Sequence, residues 1–167
     1  GSRLMTVWPL GPVDITAAHD TAGLASIRRV DAASVVDDSL AFGDWRGTGN
    51  VFIVDLGLGN DGSPLGLRKL RLNLVDAAAY HLEHAAMDGS GLTNVSVIKD
   101  PQRACTSWSF NLGTQAIEPP RGAWDLCFTQ YTHEFESYDL DYLVNGVLSA
   151  RTTRVARITS KAFAEIT

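Results

Sequence analysis

Length, composition and charge set the first limits on what this chain can be. Its 167 residues, 45% hydrophobic and 20% charged, suffice for one globular domain and exclude wholesale disorder. A formal net charge of −5, with Lys and Arg scattered along the chain, excludes a basic surface that binds nucleic acid. No apolar run approaches the ~20 residues of a membrane span, so we expect membrane contact only through an anchor that is not present in this chain.

The first fifty residues give few structural signals. Residues 8–12 contain two prolines and cannot continue a helix or a central strand. Residues 16–42 are rich in alanine without a clear period, which leaves a short helix open there.

From residue 51 onward the pattern is typical of β-strands. Residues 51–54 form a continuous apolar run, which predicts a strand covered on both faces. Residues 68–74 alternate leucine with basic or polar residues, which predicts a half-buried strand whose basic side faces water. Residues 80–86 alternate similarly and lead to a turn at Asp88-Gly89, after which residues 93–99 form the return strand.

The second half continues in the same way. Residues 107–110 and 124–128 predict another strand pair, residues 142–148 predict the last strand, and Ser160 is the predicted N-cap of a short C-terminal helix. Short strands separated by turns predict an all-β fold: an antiparallel sheet, sandwich or open barrel with long loops.

Two motifs suggest a cofactor or a metal. The glycines at 57, 59 and 62 match a dinucleotide-binding loop, but that loop needs a helix after its third glycine. A strand follows here, so we predict a hairpin loop. His81 and His84 would share one side of a helix, but on a strand they point to opposite faces. A joint zinc site is therefore not predicted, and His84 belongs to the apolar face.

Hydrolytic chemistry is not predicted either. The chain has no Gly-x-Ser-x-Gly motif, and Cys127 and His133 would lie about 20 Å apart along a regular strand. The acidic stretch at residues 134–141 predicts a solvated loop, with a weak calcium site as the alternative. We therefore expect a protein that is not an enzyme.

The order of the motifs resembles the HmuY-like family, the surface haem-scavenging lipoproteins of diderm bacteria. The similar features are an aromatic-Ser-Phe strand at residues 108–110, a turn at Gly113, and a Trp-Asp-hydrophobic-x-Phe strand at residues 124–132 that ends in a tyrosine. The strand at 142–148 and the hairpins at 51–89 also resemble family elements. The resemblance covers about residues 40–150.

The resemblance implies a domain organisation and a location. In the family the Trp-Asp hairpin opens a domain and tyrosine-rich hairpins close it, whereas this chain has the reverse order. We therefore expect residues 1–100 to be the closing half of one repeat and residues 101–167 the opening half of a second. The two halves would pack as one unit in the middle of a longer tandem protein, at the outer membrane or cell surface.

The resemblance also implies a binding function. We expect a surface binding or scaffold module that captures haem, with His19 and His84 as candidate ligands. Where the haem-binding family member has a histidine, this chain has Asp44 in the run Phe-Gly-Asp-Trp, and carboxylates are poor haem ligands. The alternative is an accessory subunit of an outer-membrane protein complex, without a small-molecule ligand, that pairs through exposed strand edges.

The two cysteines, Cys105 and Cys127, allow one disulfide. If Trp108 pairs across a hairpin with Trp124, the same register places Cys105 opposite Cys127, at a Cα separation of ~4.5–5.5 Å that a disulfide can bridge. The alternative is two small buried side chains.

Overall fold

The structure, a computed structural model, describes residues 4–31, 40–135, 140–149 and 153–166. Over these residues the regular structure consists almost entirely of antiparallel strands, which confirms the predicted all-β fold. The strands are β1 (Thr6–Gly11), β2 (Val51–Asp55), β3 (Leu67–Val75), β4 (Ala79–Ala85), β5 (Thr93–Ile98), β6 (Ser107–Ser109), β7 (Gly113–Gln115), β8 (Leu126–Phe135) and β9 (Leu140–Ser149).

The first five strands form one antiparallel sheet in chain order. The glycine motif at 57–62 lies in the connection between β2 and β3 and is a hairpin loop, as predicted. β1 is an edge strand and contains Pro9, which has no N–H to donate. Val7, two residues earlier, exchanges backbone hydrogen bonds with Arg29 on the outer side. Pro9 therefore occurs where no hydrogen bond within the sheet is lost.

The core of this sheet centres on β2. Val51, Phe52, Ile53 and Val54 are each at most 1% exposed, which confirms the prediction of a strand covered on both faces. Successive side chains point to opposite faces, so β2 contributes to two apolar layers. We call the face with Phe52 and Val54 face A, and the face with Val51 and Ile53 face B.

Face A is covered by aromatic side chains from two other parts of the chain. Trp108 of β6 and Phe110, which follows β6, pack against it together, with ring centroids 4.8 Å apart. Phe42 packs on this face against Phe52, and their ring centroids are 5.0 Å apart. The buried side chains of the larger cluster on this face are Val54, Leu56, Leu70, Leu82 and Val97.

Face B is covered by residues 10–19, which we call the cover segment. Ile15 is 3% exposed and packs with Val51 and Ala85. The cover segment also passes close to the turn between β4 and β5. A Cβ atom at Gly89 would lie 1.8 Å from the carbonyl oxygen of Thr16, and the φ of Gly89 is +90°. Only glycine fits at this position.

The remaining strands form two separate hairpins, β6–β7 and β8–β9. Trp108 pairs with Thr114 inside the first hairpin, so the predicted pairing of Trp108 with Trp124 is wrong. Trp124 precedes β8 and is half-buried. The short turn with Gly113 at φ +68° closes β6 onto β7 locally, and a short connection costs less chain entropy than a long one.

The predicted C-terminal helix is a single 3-10 turn, Phe163–Glu165. Its N-cap is Ala162 rather than Ser160, because the Glu165 carboxylate accepts the backbone N–H of Ala162 at 3.1 Å. In the alanine-rich region, where the sequence allows a short helix, the described residues form a 3-10 turn, Ala25–Ile27. Residues 32–39 of that region lie outside the described residues.

Candidate functional site

His84 lies on face A of β4, among aromatic side chains. Its ring centroid is 5.7 Å from that of Trp108 and 5.4 Å from that of Phe110, and Leu70 lies opposite it on β3. Burial, followed by the positive charge of Arg68, lowers the pKa of His84 below its ordinary value of 6.5. The imidazole is therefore neutral at pH 7, which is the form that binds metals.

His19, the other candidate haem ligand, belongs to the cover segment. Its Nδ1 lies 3.0 Å from the carbonyl oxygen two residues earlier, and its backbone N–H bonds to the Met87 carbonyl at 2.9 Å. The cover segment packs on face B beside Ala85, whereas His84 points to face A. The structure does not bring the two histidines together, and they do not fit a bis-histidine haem site.

The basic residues of β3 that share face B lie beneath the cover segment. Lys69 is 0% exposed and donates from Nζ to the Ala17 carbonyl. Arg71 donates to the Val13 carbonyl at 2.7 Å and pairs with Glu83 at 3.1 Å. The prediction that this basic side faces water is therefore wrong. Alternation identifies the side of a strand, but it does not show whether a distant loop covers that side.

The cluster on face B holds the cover segment rather than a ligand. Burial lowers the pKa of Lys69, and the charges of Asp88 and Asp14 oppose that shift. Asp14 and Asp88 each accept bonds from a backbone N–H and a hydroxyl two residues later. These charged groups thus bond to the turns and carbonyls that fix the segment, except that the buried Nε of Arg71 has no hydrogen-bond partner among the described residues.

His81 takes part in a hydrogen-bonded array that the sequence patterns did not predict. Its Nδ1 lies 2.9 Å from Ser96 Oγ, and its Nε2 lies 3.1 Å from Asp76 Oδ2. The other oxygen of Asp76 accepts the backbone N–H groups of Ala78 and Ala79, both at 2.7 Å. Bonding to His81, followed by these two bonds, lowers the pKa of Asp76 from 3.8 to about 2.

The array has the residue types of a catalytic triad, but its hydrogen bonds join β4 to β5 and to the turn between β3 and β4, as a structural network would. His81 and Ser96 are directly opposed in the β4–β5 pair, and side chains in such pairs ordinarily interact. Asp76 closes the turn between β3 and β4, and its side chain is 47% exposed. A signal for the pair was present in the sequence. Counting outward from Asp88-Gly89, one residue at a time on each side, places His81 opposite Ser96.

The two cysteines do not form the predicted disulfide. Cys105 and Cys127 are both free and exposed, so the alternative of two buried side chains is also wrong. Cys127 pairs with Leu148 in the β8–β9 hairpin, and Cys105 lies before β6. The register that would have joined them depended on the incorrect pairing of Trp108 with Trp124.

The β8–β9 hairpin exposes an apolar patch on one of its faces. The patch consists of Leu126, Phe128 and Val147, which are 51%, 80% and 52% exposed. Phe128 and Val147 are directly opposed, and Leu126 is two residues along on the same face. On the other face the ring of Tyr131 lies over Gly146, where a Cβ atom would be 2.9 Å from the ring. That face is therefore partly occupied by a side chain of the hairpin itself.

Within the described ranges, β8 and β9 pair only with each other over ten residues each, so the outer edge of each strand has no neighbouring strand there. Where residues 130–132 approach residues 4 and 5, they border a cavity of about 180 Å³. A two-stranded hairpin is only marginally stable in water, and an unpaired edge can accept a further strand. The ends of the acidic stretch, residues 134–135 and 140–141, belong to β8 and β9 rather than to the predicted loop, and residues 136–139 lie outside the described residues.

Over the part of the chain that the structure describes, three or more His, Cys, Asp or Glu side chains nowhere come together as a metal site. None of the helices in this part has the length and hydropathy needed to cross a membrane.

Comparison with protein-family models, with curated proteins and with solved structures finds no match. The function must therefore be argued from the residues themselves.

Proposed function

We propose that this chain is a non-enzymatic binding module of the bacterial cell surface, which holds an extended segment of a partner protein against its β8–β9 hairpin. Two functions follow from the family resemblance: capture of haem, and association with other proteins of the outer membrane. The hairpin favours the second. The cell-surface location rests on the resemblance of residues 40–150 to the HmuY-like family.

The free edges and the apolar patch of the hairpin carry the proposal. A partner strand would pair its backbone with the outer edge of β8, where its side chains pack beside Leu126 and Phe128. Full burial of one such side chain contributes ~1.5–3 kcal/mol, so the exposed parts of these two together offer about 2–4 kcal/mol. Backbone hydrogen bonds add ~0.5–1.5 kcal/mol each. Set against the cost of association, these terms suggest a micromolar complex.

Haem capture has less support from the same structure. The neutral His84 could offer one ligand, but Trp108 and Phe110 pack against its ring. His19 lies with the segment on the opposite face of the sheet. A paired axial ligation by these residues would require the sheet and its cover segment to come apart.

A peptide library tests the proposed binding mode. Random ten-residue peptides displayed on phage are selected on the purified chain, and the selected peptides are synthesised. We expect extended peptides with alternating apolar residues that bind in the micromolar range. N-methylation of alternate backbone amides should abolish binding, because it removes the donors that pair with a strand edge.

Two variants serve as a matched pair for this selection. Phe128→Ser removes the most exposed member of the apolar patch and should weaken the selected peptides about ten-fold or more. Phe163→Ser changes another exposed phenylalanine, outside the hairpin, and should leave their affinity unchanged. Peptides that tolerate N-methylation, or that bind both variants equally, would show that the hairpin edge is not the binding site.

A further inference from the structure

The cavity of about 180 Å³ that adjoins the β8–β9 hairpin has room for one long side chain. Residues 130–132 and Leu143 of the hairpin border it, together with Leu4, Met5 and Asp31 from earlier in the chain. Sites for drug-sized molecules have volumes of ~300–1,000 Å³. This cavity is smaller, so its size suits a single side chain of a bound protein better than a free ligand.

The cavity continues the face of the hairpin that carries the apolar patch. Gln130 and Thr132 lie two and four residues beyond Phe128 on β8, so their side chains point to the same face. Leu143 lies opposite Thr132 on β9 and belongs to that face as well. Alternate residues of a strand are about 6.5 Å apart. A partner strand along β8 therefore places one side chain beside Phe128 and the next ones on that face beside the cavity.

The lining of the cavity combines apolar side chains with a carboxylate. Leu4, Met5 and Leu143 supply the apolar part. Asp31 Oδ1 accepts the backbone N–H of Ala41 at 2.8 Å, and an ionised carboxylate has about four acceptor positions, so Asp31 can accept further bonds. The described residues that line the cavity include no Lys, Arg or His. The charge at this cavity is therefore negative.

A lysine or arginine side chain matches this lining at both of its ends. Such a side chain packs its methylene stem along apolar groups and keeps its charged end at a polar boundary. Met5 and Leu143 would contact the stem, and Asp31 would accept hydrogen bonds from the cation. An acidic side chain would be repelled by Asp31, and juxtaposed like charges select against wrong partners.

We propose that the cavity is a specificity pocket for the partner strand and receives a lysine or arginine side chain, whose cation pairs with Asp31. The proposal rests on the proposed function, because it names one side chain of the strand that the hairpin binds. Gln130 and Thr132 lie two and four residues from Phe128. The basic residue therefore lies two or four positions from the apolar residue that packs beside Phe128.

The peptides selected on the purified chain test the pocket. We expect binders to carry Lys or Arg at that spacing. Norleucine at this position, which keeps an alkyl stem and removes the charge, should raise the dissociation constant about five-fold. Asp31→Asn keeps an acceptor for Ala41 and should raise the constant of the basic peptide by the same factor, without affecting the norleucine peptide. Asp44→Asn changes an exposed aspartate outside the cavity and should affect neither peptide.

The comparison of two peptides and two variants is a double-mutant cycle, which isolates the pair from general effects on the fold. Binders without a basic residue at that spacing, equal affinity of the basic and norleucine peptides, or an equal effect of Asp31→Asn on both would each overturn the pocket. If such binders still lose affinity on N-methylation and with Phe128→Ser, the proposed function stands while this inference falls. Binders insensitive to both controls remove the proposed function and the pocket together.

Discussion

Gly89→Ala is the substitution that most directly tests how the cover segment is placed. Gly89 has a φ of +90°, and a Cβ atom there would lie 1.8 Å from the Thr16 carbonyl oxygen and 2.6 Å from its carbon. Both are backbone atoms, so no side-chain rotation can relieve the contact. Gly91, two residues along, has a φ of +66° and an open surrounding. It provides a matched control.

The expected effects separate backbone strain from collision. A positive φ costs an alanine ~1–2 kcal/mol at either position. Only at Gly89 must the cover segment also move, and overpacking of this kind adds ~1–3 kcal/mol. We therefore expect Gly89→Ala to lower the free energy of unfolding by about 2–5 kcal/mol, and Gly91→Ala by about 1–2 kcal/mol.

Urea unfolding and lysine labelling measure the two effects. Urea titrations give the unfolding free energies of both variants. Brief acetylation of the folded protein, followed by mass spectrometry, compares Lys69, which the cover segment buries, with Lys161, which is exposed. Acetylation at Lys69 should increase in Gly89→Ala and not in Gly91→Ala. Equal unfolding free energies, together with unchanged protection of Lys69, would refute the placement of the cover segment on face B.

Four further predictions concern single residues or pairs. The folded-state pKa of His84 lies below 6.5, so the unfolded chain binds the proton more readily than the folded chain. The stability that comes from burying the neutral imidazole is therefore fully present above pH 6.5 and is lost as the pH falls below it. His84→Phe should flatten the pH dependence of unfolding between pH 7 and 5, and an unchanged slope would contradict the assignment. Titration with haemin should give no low-spin bis-histidine spectrum, and such a spectrum that vanished on replacing His19 and His84 would show the opposite. A thiol reagent should modify both Cys105 and Cys127 in the folded, unreduced protein, whereas two unreactive cysteines would indicate a disulfide. A fluorophosphonate probe should leave Ser96 unmodified, since an adduct mapped to that residue would identify an enzyme.

Much of the five-stranded sheet could be predicted from the sequence, because its information is local. The apolar run at residues 51–54 and the alternation around Leu70, Leu82 and Val97 identify strands and their apolar sides. The turn at Asp88-Gly89 even determines the register of β4 with β5, and with it the contact between His81 and Ser96. Periodicity and turn chemistry act over a few residues, and both signals can be read from one sequence.

The features that escaped prediction depend on contacts between distant parts of the chain. Lys69 and Arg71 have the spacing of an exposed basic side, and only the arrival of residues 10–19 buries them. Aromatic residues in both segments favour the pairing of Trp108 with Trp124. Thr114 is nearer to Trp108 in sequence, and pairing with it closes a shorter loop. Alternation likewise does not show how many neighbouring strands a strand has, so it could not predict that, among the described residues, β8 and β9 pair only with each other.

The position of the cover segment affects the order in which parts of the chain can fold during synthesis. Residues 10–19 are made well before the groups that hold them: Lys69 bonds to Ala17 across 52 positions, and Arg71 to Val13 across 58. Until β3 and β4 have emerged and paired, the segment has no surface to bind. Contacts across such separations form slowly, because the loop must close before they contribute. During synthesis, residues 10–19 should therefore remain accessible to chaperones and proteases until residue 85 and the turn at Gly89 have followed them.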